Sequence, residues 1–208
     1  KTLTWILDEA STRNMPTKLF TNGMLLNTDK NRMLALKAND IRISLSMPCP
    51  KKFLETCFGI VPSAKHIVTL NQLVTNLKTL IRERKASGSN TTVGMNMVVG
   101  EFNWDYLDEI LELSAEIGMD YLDIKPDYFA KTDAHYFEIL SQKIAEAAEL
   151  LTEGQIGPTK VIFADSINRK SIFHHQFTGK CDANLQSRHK VFITPFGDCI
   201  PVHHWAFP

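Results

Sequence analysis

The chain has 208 residues, 44% of them hydrophobic, and its 23 basic residues balance 23 acidic ones for a formal net charge of zero. A chain of this length suits one domain, or one domain and the start of a second. Neutrality leaves no overall field to draw the chain to nucleic acid or to an anionic membrane, and no apolar run approaches the ~20 residues that span a bilayer.

No signal-peptide pattern is visible, and the chain opens at Lys1 without a Met. Leu3, Ile6, Leu7 and Ala10 already follow helical spacing, so the chain reads as beginning inside a helix over 3–13, which Pro16 ends. A short strand over 17–21 and a turn at Asn22-Gly23 follow, then a helix over 29–37 with Met33, Leu34 and Leu36 for its inner side. Ile41-Arg-Ile-Ser-Leu45 alternates with period two and reads as the next strand. Residues 46–65 hold Pro48, Pro50, Gly59 and Pro62 and read as a long loop, often a functional feature in a compact domain.

The spacing of Ile67, Leu70, Leu73, Val74, Leu77, Leu80 and Ile81 predicts a long helix over 66–85. Thr92 to Val99 reads as a third strand, and Asn103 as the cap of a helix over 104–117 that buries Leu107, Ile110, Leu111 and Ser114 and stops at Gly118. A fourth strand over 119–124, a helix over 134–151 and a short strand over 161–163 follow. Residues 190–202 read as a hairpin turning at Pro195-Phe-Gly-Asp198.

Strand and helix alternate at least four times, and crossover helices favour a parallel sheet. No Gly-x-Gly-x-x-Gly follows the first strand, and no phosphate-binding Gly-Lys-Ser/Thr loop is present. An α/β fold of the partial (β/α) TIM-like barrel type remains, with chemistry expected where strands stop. Those places are Thr21-Asn22, Ser44 to Ser46, Val98 to Glu101 and Lys125 to Asp127.

Three segments, taken in order, carry a resemblance. They are Leu19-Phe-Thr-Asn-Gly-Met-Leu-Leu26, Ile41-Arg-Ile-Ser-Leu-Ser-Met-Pro48 and Thr92-Val-Gly-Met-Asn-Met-Val-Val-Gly-Glu-Phe-Asn103. In that order they resemble the third, fourth and fifth strands of radical S-adenosylmethionine (SAM) enzymes, and Leu113 to Ile124 resembles the run into the sixth. Cys181 and Val191-Phe-Ile-Thr-Pro-Phe-Gly-Asp-Cys-Ile-Pro-Val202 look like the opening of the SPASM/twitch extension, which binds auxiliary iron–sulfur clusters. The resemblance implies a partial radical SAM barrel over 1–155, a linker over 156–180 and the start of the SPASM/twitch-like region over 181–208.

It also implies a reaction in which SAM, bound at a [4Fe–4S] cluster, is cleaved reductively and hydrogen is abstracted from an organic substrate. That substrate is a peptide side chain, a sugar or another small metabolite. An electron donor such as flavodoxin or ferredoxin and a cytoplasmic location go with it. The departures are plain. Cys-x-x-x-Cys-x-x-Cys is absent, as is the Gly-Gly-Glu strand end, and both are expected upstream of residue 1. As it stands, the chain is expected to be inactive alone. Ser46 stands where the family has Asp, and Val202 holds the usual place of the second extension Cys, with Cys199 three residues earlier.

By resemblance, SAM-binding groups are Thr21, Asn22, Ser44 and, from strand positions, Asn96 and Arg42. From their place after the fourth strand, Lys125, Asp127 and Tyr128 are expected to contact substrate, and by resemblance the auxiliary-cluster ligands are Cys181 and Cys199. Each has a plainer reading: a turn for Asn22-Gly23, a hydroxyl satisfying backbone for Ser44, structural or surface roles for Asn96 and Arg42, and a solvated loop for Lys125 and Asp127. Cys49 and Cys57 read as thiols of a long loop. His174-His175, His189 and His203-His204 do not make a zinc pattern, since adjacent strand residues point to opposite faces. Two alternatives stay open: another (β/α)-barrel lyase or aldolase with Lys125 as Schiff-base lysine, and a non-catalytic barrel scaffold.

Overall fold

A strand followed by a helix can return to the same sheet only in parallel, and the sheet is built that way throughout. The computed structural model describes residues 2–46, 48, 64–127, 134–152, 160–163, 191–193 and 199–201. Strands β1 (Lys18–Thr21), β2 (Asp40–Ser44), β3 (Thr92–Val99), β4 (Tyr121–Pro126) and β5 (Lys160–Phe163) form one sheet in sequential order, every pair parallel. Helices α1 (Thr2–Thr12), α2 (Asp29–Ala35), α3 (Ala64–Ser87), α4 (Leu107–Ile117) and α5 (Ala134–Thr152) alternate with them. A mixed α/β chain with such a sheet is consistent with the partial β/α barrel expected from sequence. The chain divides into two units, Lys1–Ile167 and Asn168–Pro208. The second contains an antiparallel hairpin of β6 (Val191–Ile193) and β7 (Cys199–Pro201), in the place expected.

Alternation gives the five-stranded sheet two chemically different faces. One carries Ile41, Ile43, Val93, Met95, Met97, Val99, Leu122 and Ile124, all fully buried. It forms the core with Leu73, Leu77 and Leu80 of α3 and Leu107, Ile110 and Leu111 of α4, each side chain contributing roughly 1.5–3 kcal/mol by burial. The other face carries Lys18, Phe20, Asp40, Arg42, Ser44, Gly94, Asn96, Tyr121, Asp123 and Lys125.

Ion pairs secure the helices. Arg32 of α2 is buried and donates through Nε and Nη2 to the Glu83 carboxylate of α3, each at 2.8 Å, and through Nη1 to the Leu26 carbonyl at 3.0 Å. The Arg32 bond draws the Glu83 carboxyl below its ordinary range, against a smaller opposing effect of desolvation. Near the end of α3, Arg84 pairs with Asp120, whose Oδ2 also accepts the Val93 N–H at 2.7 Å, so the starts of β3 and β4 are tied to the helix.

Four expectations change. Met33 is exposed, and Arg32 turns inward instead, because a guanidinium with three acceptors is satisfied in the core. The helix expected to reach 37 ends at Ala35, with Leu36 as its C-cap. Pairing of β3 with β4 runs to Val99↔Pro126, so Lys125 lies within β4 and not beyond it. Asn103 makes no side-chain cap: a 3-10 turn (Trp104–Tyr106) precedes α4, and the Asn103 amide is spent on strand-end backbone. Gly118 does end α4, in the left-handed conformation (φ 85°) that glycine adopts at little cost.

Candidate functional site

The polar face of the sheet is organised in rows by strand register. Lys18 lies beside Asp40, Phe20 beside Arg42 beside Gly94 beside Tyr121, and Ser44 beside Asn96 beside Asp123. Lys125 lies beside Val98, one step nearer the carboxyl ends.

Toward the amino ends the face is closed by a hydrogen-bonded cluster. Tyr121 reaches across β3 and donates to Asp40 Oδ1 at 2.8 Å, while Asp40 pairs with Lys18. Only glycine on β3 permits this, since a Cβ on Gly94 would lie 2.1–2.3 Å from the Tyr121 ring. Burial, with help from Asp40, pushes the Tyr121 phenol up to about 12. Arg42 lies between two rings, its guanidinium carbon 5.3 Å from the Phe20 centroid and 5.7 Å from that of Tyr121. Its Nη1 pairs with Asp123 Oδ2 at 2.7 Å, and both side chains are mostly buried. Lys125 Nζ is 3.4 Å from the same oxygen. The Arg42–Asp123 pair is thus a desolvated floor whose members satisfy each other.

In the row of Asp123, one step beyond Arg42, lie Ser44, the last residue of β2, and Asn96, within β3 where its pairing with β2 stops. Ser44 is exposed and Asn96 half-buried, and among the described residues neither side chain has a hydrogen-bond partner. A hydroxyl and an amide side by side supply donors and acceptors for ribose or carboxylate groups.

Of the residues singled out by sequence, the structure brings Arg42, Ser44, Asn96 and Lys125 onto one face. Thr21 pairs with Ile43 and so falls on the other face of β1. Its Oγ1 accepts the Gly23 N–H at 3.1 Å, and Asn22 Oδ1 accepts the Met24 N–H at 3.2 Å, so both serve the turn. Asp127 follows β4, its N–H donating to Val99 O at 2.8 Å. Cys199 opens β7 opposite Ile193, and Cys181, Cys49, Cys57 and Tyr128 lie outside the described residues. Sequence reading missed Tyr121, Asp123, Phe20 and Asp40. An acid inside an apolar strand, as in Tyr121-Leu-Asp-Ile124, was the available signal for Asp123.

No family model and no curated protein matches the chain. Solved structures do. SuiB of Streptococcus suis bound to S-adenosylmethionine is 14% identical and superposes with a TM-score of 0.55 over 77% of this chain and 34% of its own. SuiB bound to the precursor peptide SuiA is 14% identical with a TM-score of 0.61, over 95% of this chain and 45% of its own. At this identity the likeness establishes the fold. The chain spans less than half the length of these neighbours. Among the described residues no helix is long and apolar enough to cross a membrane, and no group of three or more His, Cys, Asp or Glu side chains could hold a metal ion.

Proposed function

We propose that this chain is part of a radical SAM enzyme and supplies the SAM-binding mouth of its barrel. The observation that carries the reading is the Ser44–Asn96 pair, side by side where the pairing of parallel β2 and β3 stops and next to the Arg42–Asp123 ion pair. Two further supports are the order of the strand motifs and the likeness of fold to a protein crystallised with SAM. Ser44 and Asn96 bind polar groups of SAM, and the Arg42–Asp123 pair alongside them orients the ligand and keeps water from its inner side.

The chain's own cysteines do not fit a primary [4Fe–4S] cluster, since the sequence contains no Cys-x-x-x-Cys-x-x-Cys. The family chemistry, hydrogen abstraction from a peptide side chain, sugar or small metabolite, requires cluster ligands from outside this chain. It also takes electrons from a donor such as flavodoxin or ferredoxin. Lys125, on the polar face of β4, and Asp127, directly after that strand, are proposed to meet the substrate. Cys181 and Cys199 are proposed as ligands of an auxiliary iron–sulfur cluster, which would need two more ligands.

The test is SAM binding by the full-length protein, purified anaerobically. Ser44→Ala and Asn96→Ala should each weaken binding about 2–12-fold, the value of roughly 0.5–1.5 kcal/mol per hydrogen bond. Unchanged binding in both variants would sink the reading. Reductive borohydride trapping of a carbonyl substrate at Lys125 would replace it with a Schiff-base lyase.

A further inference from the structure

We propose that Asn103 is a positioning residue of this site, whose amide holds the carboxyl end of β2 against that of β3 and so sets the spacing of Ser44 and Asn96. The inference rests on the SAM-binding reading for the identity of the ligand.

Regular pairing of β2 with β3 ends at Ser44↔Asn96. Beyond that point the two chains would be free to part, yet they are joined repeatedly. Leu45 N donates to Asn96 O at 3.0 Å, and Val98 N donates to Ser46 Oγ at 3.2 Å. Asn103 completes the link from the far side of the loop. Its Nδ2 donates to Ser46 O at 2.6 Å and to Val98 O at 2.8 Å, while its Oδ1 accepts the Gly100 N–H at 2.8 Å. The residue is only 1% exposed, so its amide depends on these protein partners for its hydrogen bonds. Both Nδ2 hydrogens and the carbonyl oxygen are used, which only an amide side chain can do at this position.

The same clamp reaches β4. Asp127 N donates to Val99 O, and a Cβ on Gly100 would lie 2.8 Å from the Phe102 ring and 3.6 Å from Asp127 Cβ. Asn103 spends its side chain on backbone, and so acts through the segments just beyond Ser44 and Asn96. A helix cap would spend Oδ1 on α4, but that oxygen faces Gly100 and α4 begins four residues later, at Leu107.

The experiment uses the full-length protein and three readouts: the dissociation constant of SAM by equilibrium dialysis, the thermal midpoint, and amide hydrogen exchange at Leu45, Val98 and Gly100. Asn103→Asp keeps the size but turns an oxygen toward two carbonyls. At a temperature where far-UV circular dichroism is that of the folded protein, it should weaken SAM binding about tenfold or more, the order a displaced binding group costs. It should also quicken exchange at the three amides. Ser46→Ala removes one link only, and should weaken SAM binding by a smaller factor; it decides the matter if Asn103→Asp does not fold. A lowered midpoint with SAM binding within about twofold of wild type would make Asn103 merely structural and overturn the proposal. If wild-type protein binds no SAM, the SAM reading fails separately. Exchange then decides: quickened amides in Asn103→Asp support the clamp, and unchanged amides overturn it.

Discussion

Gly94 shows how much of the candidate site depends on a missing side chain. Gly94→Ala would drive a methyl into the Tyr121 ring, with no rotamer of the alanine to relieve it. Overpacking of this kind costs roughly 1–3 kcal/mol, so a lower denaturant midpoint with an unchanged m-value is expected. A midpoint equal to wild type would show that the ring moves freely. Tyr121 itself has a titration signature. Burial raises its phenol from 10.0 to about 12, so the folded state resists ionisation more than the unfolded chain does. That stabilisation is fully present below pH 10 and is lost as the pH rises toward 12. Absorbance near 295 nm should show a late-ionising contribution from Tyr121, and Tyr121→Phe should remove it. Residue identity was legible in sequence where a polar side chain interrupts an apolar strand, as at Arg42, Ser44 and Asn96. The partners were not, because Tyr121 meets Asp40 and Arg42 meets Asp123 across an intervening strand, and register is not written in local spacing.

Among elements, α2 and α3 are joined by the Arg32–Glu83 pair, and its dependence on pH follows from the direction of the Glu83 shift. The Arg32 hydrogen bond holds the folded Glu83 carboxyl below its ordinary 4.5. The contribution is therefore present above pH 4.5 and disappears as the pH falls through the lowered value. Glu83→Gln should cost roughly 1.5–3 kcal/mol at neutral pH, the worth of hydrogen bonds to charged groups, and the gap to wild type should close in acid. Unfolding curves at pH 7 and in steps below 4.5 measure it; a gap that stays constant would deny the pair its role. Elements were read well where one period ran unbroken. Leu70, Leu73, Leu77, Leu80 and Ile81 are buried along α3 as their spacing predicts, and Leu107, Ile110, Leu111 and Ser114 along α4. Ends were read less well. Asn103 has the chemistry of a cap, but the Gly100 N–H takes the Oδ1 that a cap would use, and Nδ2 serves the Ser46 and Val98 carbonyls. Lys125 reads as loop beside Pro126, yet pairing with β3 continues to Pro126, beyond the last β5 partner at Ile124.

For the whole molecule, the order of the sheet decides where function and stability reside. All five parallel strands precede residue 168, and so do Ser44, Asn96, Asn103 and the Arg42–Asp123 floor. The hairpin with Cys199 belongs to the other unit, Asn168–Pro208. Parallel neighbours here are distant in sequence only by one crossover each, so every ladder in the sheet can form without residues 168–208. The topology was legible because strand and helix alternate in sequence, whereas the assignment of Cys199 to an iron-binding role rested on a motif alone. Deleting residues 168–208 from the full-length protein separates the two. The sheet should retain its far-UV signal and a single cooperative transition, and the dissociation constant for SAM should stay within about threefold of wild type, under 1 kcal/mol. Iron bound by an auxiliary cluster should be lost, and Cys199→Ala alone should remove it as fully as the deletion does. Equal iron content in the intact, deleted and Cys199→Ala proteins would take the cluster away from this hairpin while leaving the barrel mouth untouched.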